Sequence, residues 1–210
     1  MSKAIIFTGG GAPSSLPRSV KEDGDYIIAA DSGYDTARLL GFDVDMAIGD
    51  FDSTTYFHEI ETRTHKKSSR DKDESDTELA IKEAVSLGYE QYILVGGGGY
   101  RMDHLLSCYA LFSRLKAPLW WYTSYETLKL VRSYERFSDL AIGQTISFLP
   151  IDFTQEVLVT AKQLAWPLVK YPLSMKTLSL SNRVIDTPLD VFVSNGKSLF
   201  VCFPVAPKHL

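Results

Sequence analysis

The chain has 210 residues, of which 45% are hydrophobic and 23% charged, a composition typical of a globular protein with one large or two small domains. Its net charge of −4 argues against a nucleic-acid partner, because phosphate contacts favour a basic surface. No apolar run approaches the roughly 18 residues that a membrane-spanning helix needs. The sequence begins without the pattern of a signal peptide, and we therefore expect a cytoplasmic protein without a membrane partner.

The first part of the chain alternates strand-like with helical patterns. Four short apolar runs predict buried strands at residues 4–8, 26–30, 46–48 and 92–95. Apolar residues at helical spacing predict helices at residues 34–40, 75–87 and 103–115. Such alternation is typical of βαβ units. We therefore predict an N-terminal, doubly wound, mostly parallel α/β domain over residues 1–122.

After residue 122 the pattern changes to short β-type runs separated by turns. The clearest runs are residues 127–131, 145–149, 156–160 and 191–203. Within the last run, Asn195-Gly196 predicts a tight hairpin, because a type I′ turn needs positive φ at both central residues. We predict a smaller antiparallel β-sandwich domain over residues 123–210. The two cysteines, Cys108 and Cys202, match no zinc or redox spacing and are expected to be buried thiols.

Each predicted N-terminal strand ends in a loop of glycine or aspartate. The four loops are Gly9-Gly10-Gly11, Asp31-Ser32-Gly33, residues 49–53 and residues 96–99. Because ligands bind at the carboxyl ends of the strands in an open parallel sheet, these loops are expected to share one crevice. Glycine amides favour an anion, whereas clustered carboxylates favour a divalent cation beside it. The combination predicts a phosphate ester bound together with Mg²⁺.

Two acidic stretches contain candidate metal ligands. Asp50 and Asp52 would project on the same side of an extended segment and could share a cation, although an acidic turn has the same composition. The second stretch contains Asp71, Asp73 and Asp76 and runs into a capping box at the start of a predicted helix. Acidic residues also favour helix N-termini through the helix dipole alone, so this stretch has a structural alternative.

A glycine-rich loop follows the predicted strand at residues 92–95. It consists of Gly96, Gly97, Gly98 and Gly99. Its conformational entropy cost exceeds what a plain turn requires, and a phosphate-binding loop before a helix explains it, with Arg101 as the cationic partner. A flexible turn is the alternative. Asp103 is a candidate for orienting a ligand or a metal-bound water, and His104 is a candidate proton shuttle or hydrogen-bonding spacer.

As a set, these motifs resemble those of thiamin pyrophosphokinases. The matching segments are residues 30–33, 49–53, 71–76 and 96–104 in the first domain, and residues 164–168 and 177–182 in the second. The resemblance implies Mg²⁺-dependent transfer of a diphosphoryl group from ATP to the hydroxyl of thiamin, giving thiamin diphosphate and AMP. It also implies a nucleotide-binding α/β domain followed by a β-sandwich, and a homodimer with ATP and thiamin as small-molecule substrates.

The resemblance also assigns roles to the candidate residues. One or two Mg²⁺ ions would be held by Asp50, Asp52, Asp73 and Asp76, with Asp71 as an additional candidate and Asp103 in the catalytic set. ATP would contact Asp31, Ser32, Gly96, Gly97, Gly98, Gly99, Arg101 and His104. Trp166 would stack on thiamin, while Ser181 and Asn182 would form hydrogen bonds with its pyrimidine ring.

Two other functions are compatible with the same motifs. A Mg²⁺-dependent phosphohydrolase that acts on a nucleotide also uses clustered aspartates. A non-catalytic nucleotide or thiamin sensor could have the same fold, because a fold alone does not fix a function. The intact acidic set favours catalysis, since a sensor would be free to lose it.

Overall fold

The chain forms two units. The structure, a computed structural model, describes residues 2–69, 73–99 and 101–205. The first unit comprises Met1–Leu111 and Pro118–Tyr125, and the second comprises Phe112–Ala117 and Glu126–Leu210. None of the helices in these described ranges is long and apolar enough to cross a membrane.

Among its described residues, the first unit contains six parallel strands. They are β1 (Ala4–Thr8), β2 (Tyr26–Ala30), β3 (Met46–Gly49), β4 (His65–Lys67), β5 (Tyr92–Val95) and β6 (Trp120–Tyr122). The strand order is β6-β5-β1-β2-β3-β4. Strands β1 and β5 are buried along their whole length, as expected for strands covered on both faces. The predicted doubly wound, mostly parallel sheet is therefore confirmed.

Helices connect these strands close to the predicted positions. They are α1 (Gly33–Leu39), α2 (Phe57–Ile60), α3 (Asp76–Ser86) and α4 (Met102–Arg114), with a short 3-10 helix at Arg18–Val20. The three predicted helices are present, each with ends within one residue of the prediction. Ser75 caps α3, because its hydroxyl accepts a hydrogen bond from the Glu78 N–H at 3.2 Å. The charged edge strand β4 is exposed, and its charges protect the sheet edge from further pairing.

The part of the second unit that the structure describes contains eight strands. They are β7 (Glu126–Val131), β8 (Tyr134–Phe137), β9 (Thr145–Pro150), β10 (Val157–Ala161), β11 (Leu168–Leu173), β12 (Ser179–Arg183), β13 (Leu189–Ser194) and β14 (Leu199–Pro204). They pair in two antiparallel groups, β12-β9-β14-β7 and β11-β10-β13-β8. Apolar residues of both groups form one core, including Phe148 of β9 and Val159 of β10. The antiparallel β-sandwich prediction is confirmed.

The hairpin predicted at Asn195-Gly196 is wrong. Both residues have the positive φ angles that the prediction required, 70° and 68°. However, the flanking strands β13 and β14 pair in different groups: β13 with β8 and β10, and β14 with β7 and β9. The turn chemistry determined the local backbone, whereas the apolar faces of the two strands determined their partners. This segment therefore carries the chain from one side of the sandwich to the other.

Candidate functional site

A crevice lies at the point in the first unit where the direction of strand addition changes. The chain adds β2, β3 and β4 on one side of β1, while β5 and β6 lie on the other side. Such a switch point is where open α/β sheets bind ligands. The crevice has a volume of about 380 Å³. The predicted site residues that line it are Asp31, Ser32, Asp76, Gly97, Gly99, Arg101 and His104.

Three carboxylates converge beside this crevice. One oxygen from each of Asp31, Asp50 and Asp52 lies within 4.8 Å of the other two. The sequence predicted that Asp50 and Asp52 would converge because the segment between them is extended. In the structure they converge through a turn instead. Phe51 between them has φ 62° and is buried, and the Asp52 N–H donates to Asp50 Oδ1 at 3.2 Å. The burial of this ring holds the turn that brings the two carboxylates together.

Asp31 is the most unusual member of this group. Its φ angle is 46°, a conformation that few residues other than glycine adopt. The pKa of Asp31 is raised, and burial is the largest cause. Hydrogen bonds from the Ser32 N–H and the Ser53 side chain lower this pKa, whereas the nearby carboxylates of Asp76 and Asp50 raise it. Its Oδ1 atom is buried and has no hydrogen-bond partner among the described residues. A buried carboxylate oxygen without a partner fits a metal ligand.

The start of α3 brings a fourth carboxylate to the crevice. Asp76 lines the crevice and accepts a hydrogen bond from the Ser68 hydroxyl at 3.2 Å. The hydroxyls of Thr8 and Thr77 lie 2.5 Å apart and connect the end of β1 to α3. Asp73 is exposed and is not a member of the three-carboxylate group. Asp71 lies outside the described residues.

Close packing gives the glycine-rich loop a structural reason to contain glycine. A Cβ atom at Gly96, which has φ 95°, would lie 2.2 Å from the carbonyl oxygen of Thr8. A Cβ atom at Gly98 would lie 2.3 Å from the Thr123 side chain. The loop thus packs against β1 and against the end of β6. These contacts require small residues whether or not a phosphate binds.

The amides of this loop divide into two pairs. The Gly96 N–H donates to the Tyr122 carbonyl at 2.9 Å, and the Gly97 N–H donates to the Gly10 carbonyl at 2.7 Å. For the N–H groups of Gly98 and Gly99, the described parts of the chain supply no acceptor. The first two amides therefore stabilise the loop. Of the last two residues, Gly98 is buried and Gly99 lines the crevice, so the Gly99 amide is the one that could bind an anion.

An ion pair lies at the start of α4. The Arg101 guanidinium donates to both carboxylate oxygens of Asp103, at 3.1 and 2.5 Å. These hydrogen bonds lower the pKa of Asp103 to about 2. Both side chains are about two-thirds exposed, so the pair is solvated and Arg101 can exchange partners at little cost. His104 lines the crevice one residue further along the helix.

In the second unit, the predicted thiamin-side residues Trp166 and Asn182 are in contact. The Trp166 side chain is 59% exposed, and the guanidinium carbon of Arg183 lies 5.5 Å from its ring centroid. Asn182 is buried, accepts the Trp166 N–H at 3.2 Å and donates to the Trp166 carbonyl at 2.7 Å. The Ser181 N–H donates to the Ser147 hydroxyl at 3.0 Å. The Asn182 amide therefore holds the backbone that presents Trp166.

Several residues of the crevice were not predicted from the sequence. Thr8, Thr77, Ser107 and Cys108 line it, and none of them was predicted as a site residue. Their positions could have indicated a role in the site. Thr8 is the last residue of a predicted strand, and Thr77 lies in the first turn of a predicted helix. Asp31 was predicted as an ATP contact, whereas its distance to Asp50 and Asp52 also makes it a candidate metal ligand.

A parallel sheet with a crevice at the carboxyl ends of its strands, in one chain with a β-sandwich, defines a two-domain α/β protein with a ligand site at the switch point. The chain belongs to the thiamin pyrophosphokinase family. The family profile "Thiamin pyrophosphokinase, catalytic domain" matches residues 18–118, and the profile "Thiamin pyrophosphokinase, vitamin B1 binding domain" matches residues 131–199. The resemblance drawn from the motifs is confirmed. The protein is an enzyme of this family, and its reaction forms thiamin diphosphate.

Solved structures show the same fold. Thiamine pyrophosphokinase from Bacillus subtilis is similar with a TM-score of 0.79 and 20% identity, covering 98% of this chain and 100% of that one. Thiamin pyrophosphokinase from Geobacillus thermodenitrificans has a TM-score of 0.75 and 23% identity, covering 99% and 100%. Yeast thiamin pyrophosphokinase has a TM-score of 0.69 and 14% identity, covering 98% and 86%. A search of curated protein sequences finds no significant match.

Proposed function

We propose that the chain transfers a diphosphoryl group from ATP to the hydroxyl of thiamin with the help of Mg²⁺. The thiamin oxygen forms a bond to the β-phosphorus, and the bond from that phosphorus to the oxygen shared with the α-phosphorus breaks. AMP leaves with the shared oxygen, and the hydroxyl proton is released. Such transfers depend on positioning and electrostatic stabilisation and need no covalent enzyme intermediate.

The three-carboxylate group is the observation that carries this proposal. Oxygens of Asp31, Asp50 and Asp52 lie within 4.8 Å of one another, and the Oδ1 atom of Asp31 is buried without a partner among the described residues. An all-oxygen donor set suits Mg²⁺, which would neutralise charge on the phosphates. Asp76 would act from the facing side of the crevice, directly or through water. Asp73 and Asp71 as ligands remain predictions from the sequence.

The phosphate groups would bind beside these carboxylates. Gly99 lines the crevice and would offer its N–H, from a loop that the hydrogen bonds of the Gly96 and Gly97 amides stabilise; phosphate contacts by the other glycines of the loop stay predictions from the sequence. Arg101 would exchange Asp103 for a phosphate oxygen, which is also an acceptor of charge-assisted hydrogen bonds. This exchange assigns Asp103 the role of holding Arg101 before ATP binds. Ser32 and His104, which line the same crevice, would contact ATP.

The thiamin contacts of the proposal lie in the second unit. The exposed ring of Trp166 would stack on thiamin, an aromatic cation, and the Arg183 guanidinium already shows that this ring accepts a cation. Asn182 would support the stack through the Trp166 backbone. Ser181, whose φ is 52°, would offer its hydroxyl to the pyrimidine.

The test follows AMP and thiamin diphosphate by chromatography. We expect both products in equal amounts when ATP, thiamin and Mg²⁺ are present, and neither after chelation. Asp52→Asn should abolish both while leaving the circular dichroism spectrum unchanged, and Asp139→Asn, at an exposed position of the second unit, should have no effect. Nucleotide cleavage without thiamin would indicate the phosphohydrolase instead. Binding of ATP and thiamin without turnover would indicate the sensor.

Two further parts of the proposal concern assembly and location. The homodimer rests on the family resemblance, and light scattering should give twice the chain mass of 23.5 kDa; the chain mass itself would contradict it. The cytoplasmic location rests on the sequence prediction. Both cysteines are free and buried, which accords with a reducing compartment.

A further inference from the structure

The loop that follows β3 is tied to helix α1 by a carboxylate that no motif includes. This loop, residues 50–56, carries two of the three clustered carboxylates and contains no helix or strand. Asp35, in the first turn of α1, accepts three hydrogen bonds from it. The donors are the Thr54 hydroxyl at 2.5 Å, the Thr55 N–H at 3.0 Å and the Thr55 hydroxyl at 2.5 Å.

Helix α1 is a rigid support for this contact. Gly33 packs so closely on β1 that a Cβ atom there would lie 2.3 Å from the Phe7 carbonyl oxygen. Tyr34 is fully buried, and its hydroxyl donates to Glu59 at 2.9 Å. The helix begins two residues after Asp31. The same short helix therefore fixes Asp31 at its start and, through Asp35, the loop that carries the other two carboxylates.

The three clustered carboxylates repel one another whenever no cation lies between them. Asp31 lies between β2 and the packed helix α1, which hold it in place. The repulsion would therefore move the loop after β3 rather than Asp31. Phe51 anchors this loop to the core at one point, and Asp35 anchors it two residues after Asp52. Loss of the second anchor would allow the segment that carries Asp50 and Asp52, which are linked by the Asp52 N–H, to move away from Asp31.

We propose that Asp35 is a positioning residue that holds Asp50 and Asp52 at the distance from Asp31 that binding of one divalent cation requires. The inference rests on the proposed function. Asp35 is not itself in the three-carboxylate group, and its oxygens are directed at Thr54 and Thr55. These hydrogen bonds outweigh the effect of burial and lower the pKa of Asp35, so the carboxylate remains a charged acceptor at neutral pH.

The experiment compares Asp35→Ala with wild type in two measurements on the full chain. The first is Mn²⁺ binding without nucleotide, followed by electron paramagnetic resonance. The second is the Mg²⁺ concentration for half-maximal thiamin diphosphate formation at saturating ATP. We expect the Mn²⁺ dissociation constant and the half-maximal Mg²⁺ concentration each to rise about tenfold in Asp35→Ala. This is the lower end of the loss of metal affinity that follows removal of an outer-shell partner. The KM for thiamin should be unchanged, and high Mg²⁺ should restore the rate.

Four further variants separate positioning from general loss of structure. Thr55→Val removes one donor to Asp35 and should reproduce part of the effect, while the double variant should be no worse than Asp35→Ala. Asp35→Asn, which keeps an acceptor oxygen, should recover part of the affinity. Asp43→Ala removes a carboxylate that bonds Arg63 at 2.6 Å and should shift neither measurement.

The possible outcomes distinguish the inference from the proposed function. If the wild type forms its product equally well in chelator, the proposed Mg²⁺ chemistry fails. If the wild type needs Mg²⁺ but Asp35→Ala binds Mn²⁺ as tightly as wild type, the positioning role is overturned. If Asp35→Ala does not fold, two other variants decide. The positioning role is then overturned if both Asp35→Asn and Thr55→Val bind Mn²⁺ as tightly as wild type.

Discussion

Replacing Asp31 by Asn should stabilise the metal-free protein and remove its response to Mg²⁺. At a separation of 4.8 Å, two carboxylates repel each other by about 3.5 kcal/mol at an effective dielectric constant near 20, and by about 0.9 kcal/mol in water. Asp52 is exposed and Asp50 half-buried, so the pairs involving Asp31 lie between these limits. The asparagine amide loses part of the strength of the hydrogen bond from Ser32. We expect a net gain of about 1 kcal/mol.

The direction of this effect agrees with the pKa of Asp31. Because the pKa is raised on folding, ionisation of this carboxyl lowers the free energy of unfolding as the pH rises through the folded-state value. Above that value the wild type therefore carries this loss in full. A neutral side chain of the same shape removes it.

Thermal unfolding with and without Mg²⁺ measures the effect. In chelator, Asp31→Asn should unfold about 2–4 °C above wild type, the shift that 1 kcal/mol produces in a chain of this size. Excess Mg²⁺ should raise the unfolding temperature of wild type and of Asp139→Asn, but not that of Asp31→Asn. A lower stability of Asp31→Asn than of wild type in chelator, or equal stabilisation of both by Mg²⁺, would refute the predicted repulsion.

Three further predictions concern the rest of the chain. Asp25→Asn should lower the free energy of unfolding by about 1–3 kcal/mol, because it removes the buried partner of Lys3 at 2.6 Å and leaves the exposed Glu22 at 3.5 Å; an equal denaturation midpoint would contradict this. The pKa of Asp25 is lowered, so its contribution is present above pH 3.8 and should disappear in acid titrations below that value. Gly33→Ala should destabilise by about 1–3 kcal/mol in urea, since its Cβ would lie 2.3 Å from a backbone oxygen of β1; a neutral effect would refute that packing. Burial raises the pKa of Cys108 to about 11 and that of Cys202 to about 12. A disulfide reagent at pH 8 should therefore modify neither thiol until urea unfolds the chain. Fast labelling of the native protein would contradict the burial of these thiols.

The sequence predicts the first unit well because its signals are local. Apolar runs and helix caps determine the strands and the three helices, and the parallel order then places their carboxyl ends together. Asp50 and Asp52 converge as predicted, but through a left-handed Phe51 rather than an extended segment. That conformation depends on where the phenyl ring is buried, which a pattern of residue types does not contain.

Long-range pairing is what the sequence leaves open. Asn195-Gly196 forms the predicted turn. However, the strands on either side pair with strands more than 30 residues away in the sequence, β13 with β10 and β14 with β9. Asp35 and Thr55 are likewise separated by 20 residues and belong to no motif. Hydrogen bonds of this kind follow from the packed position of α1 and become visible only in the structure.

The most direct test of the account is a crystal structure with Mn²⁺ and a non-hydrolysable ATP analogue, using anomalous scattering to locate the metal. We predict a peak roughly 2.0–2.3 Å from carboxylate oxygens of Asp31, Asp50 and Asp52, as expected for oxygen ligands of such a cation. The phosphates should lie against the Gly99 amide. A metal bound elsewhere in the crevice, with these three carboxylates turned apart, would contradict the account.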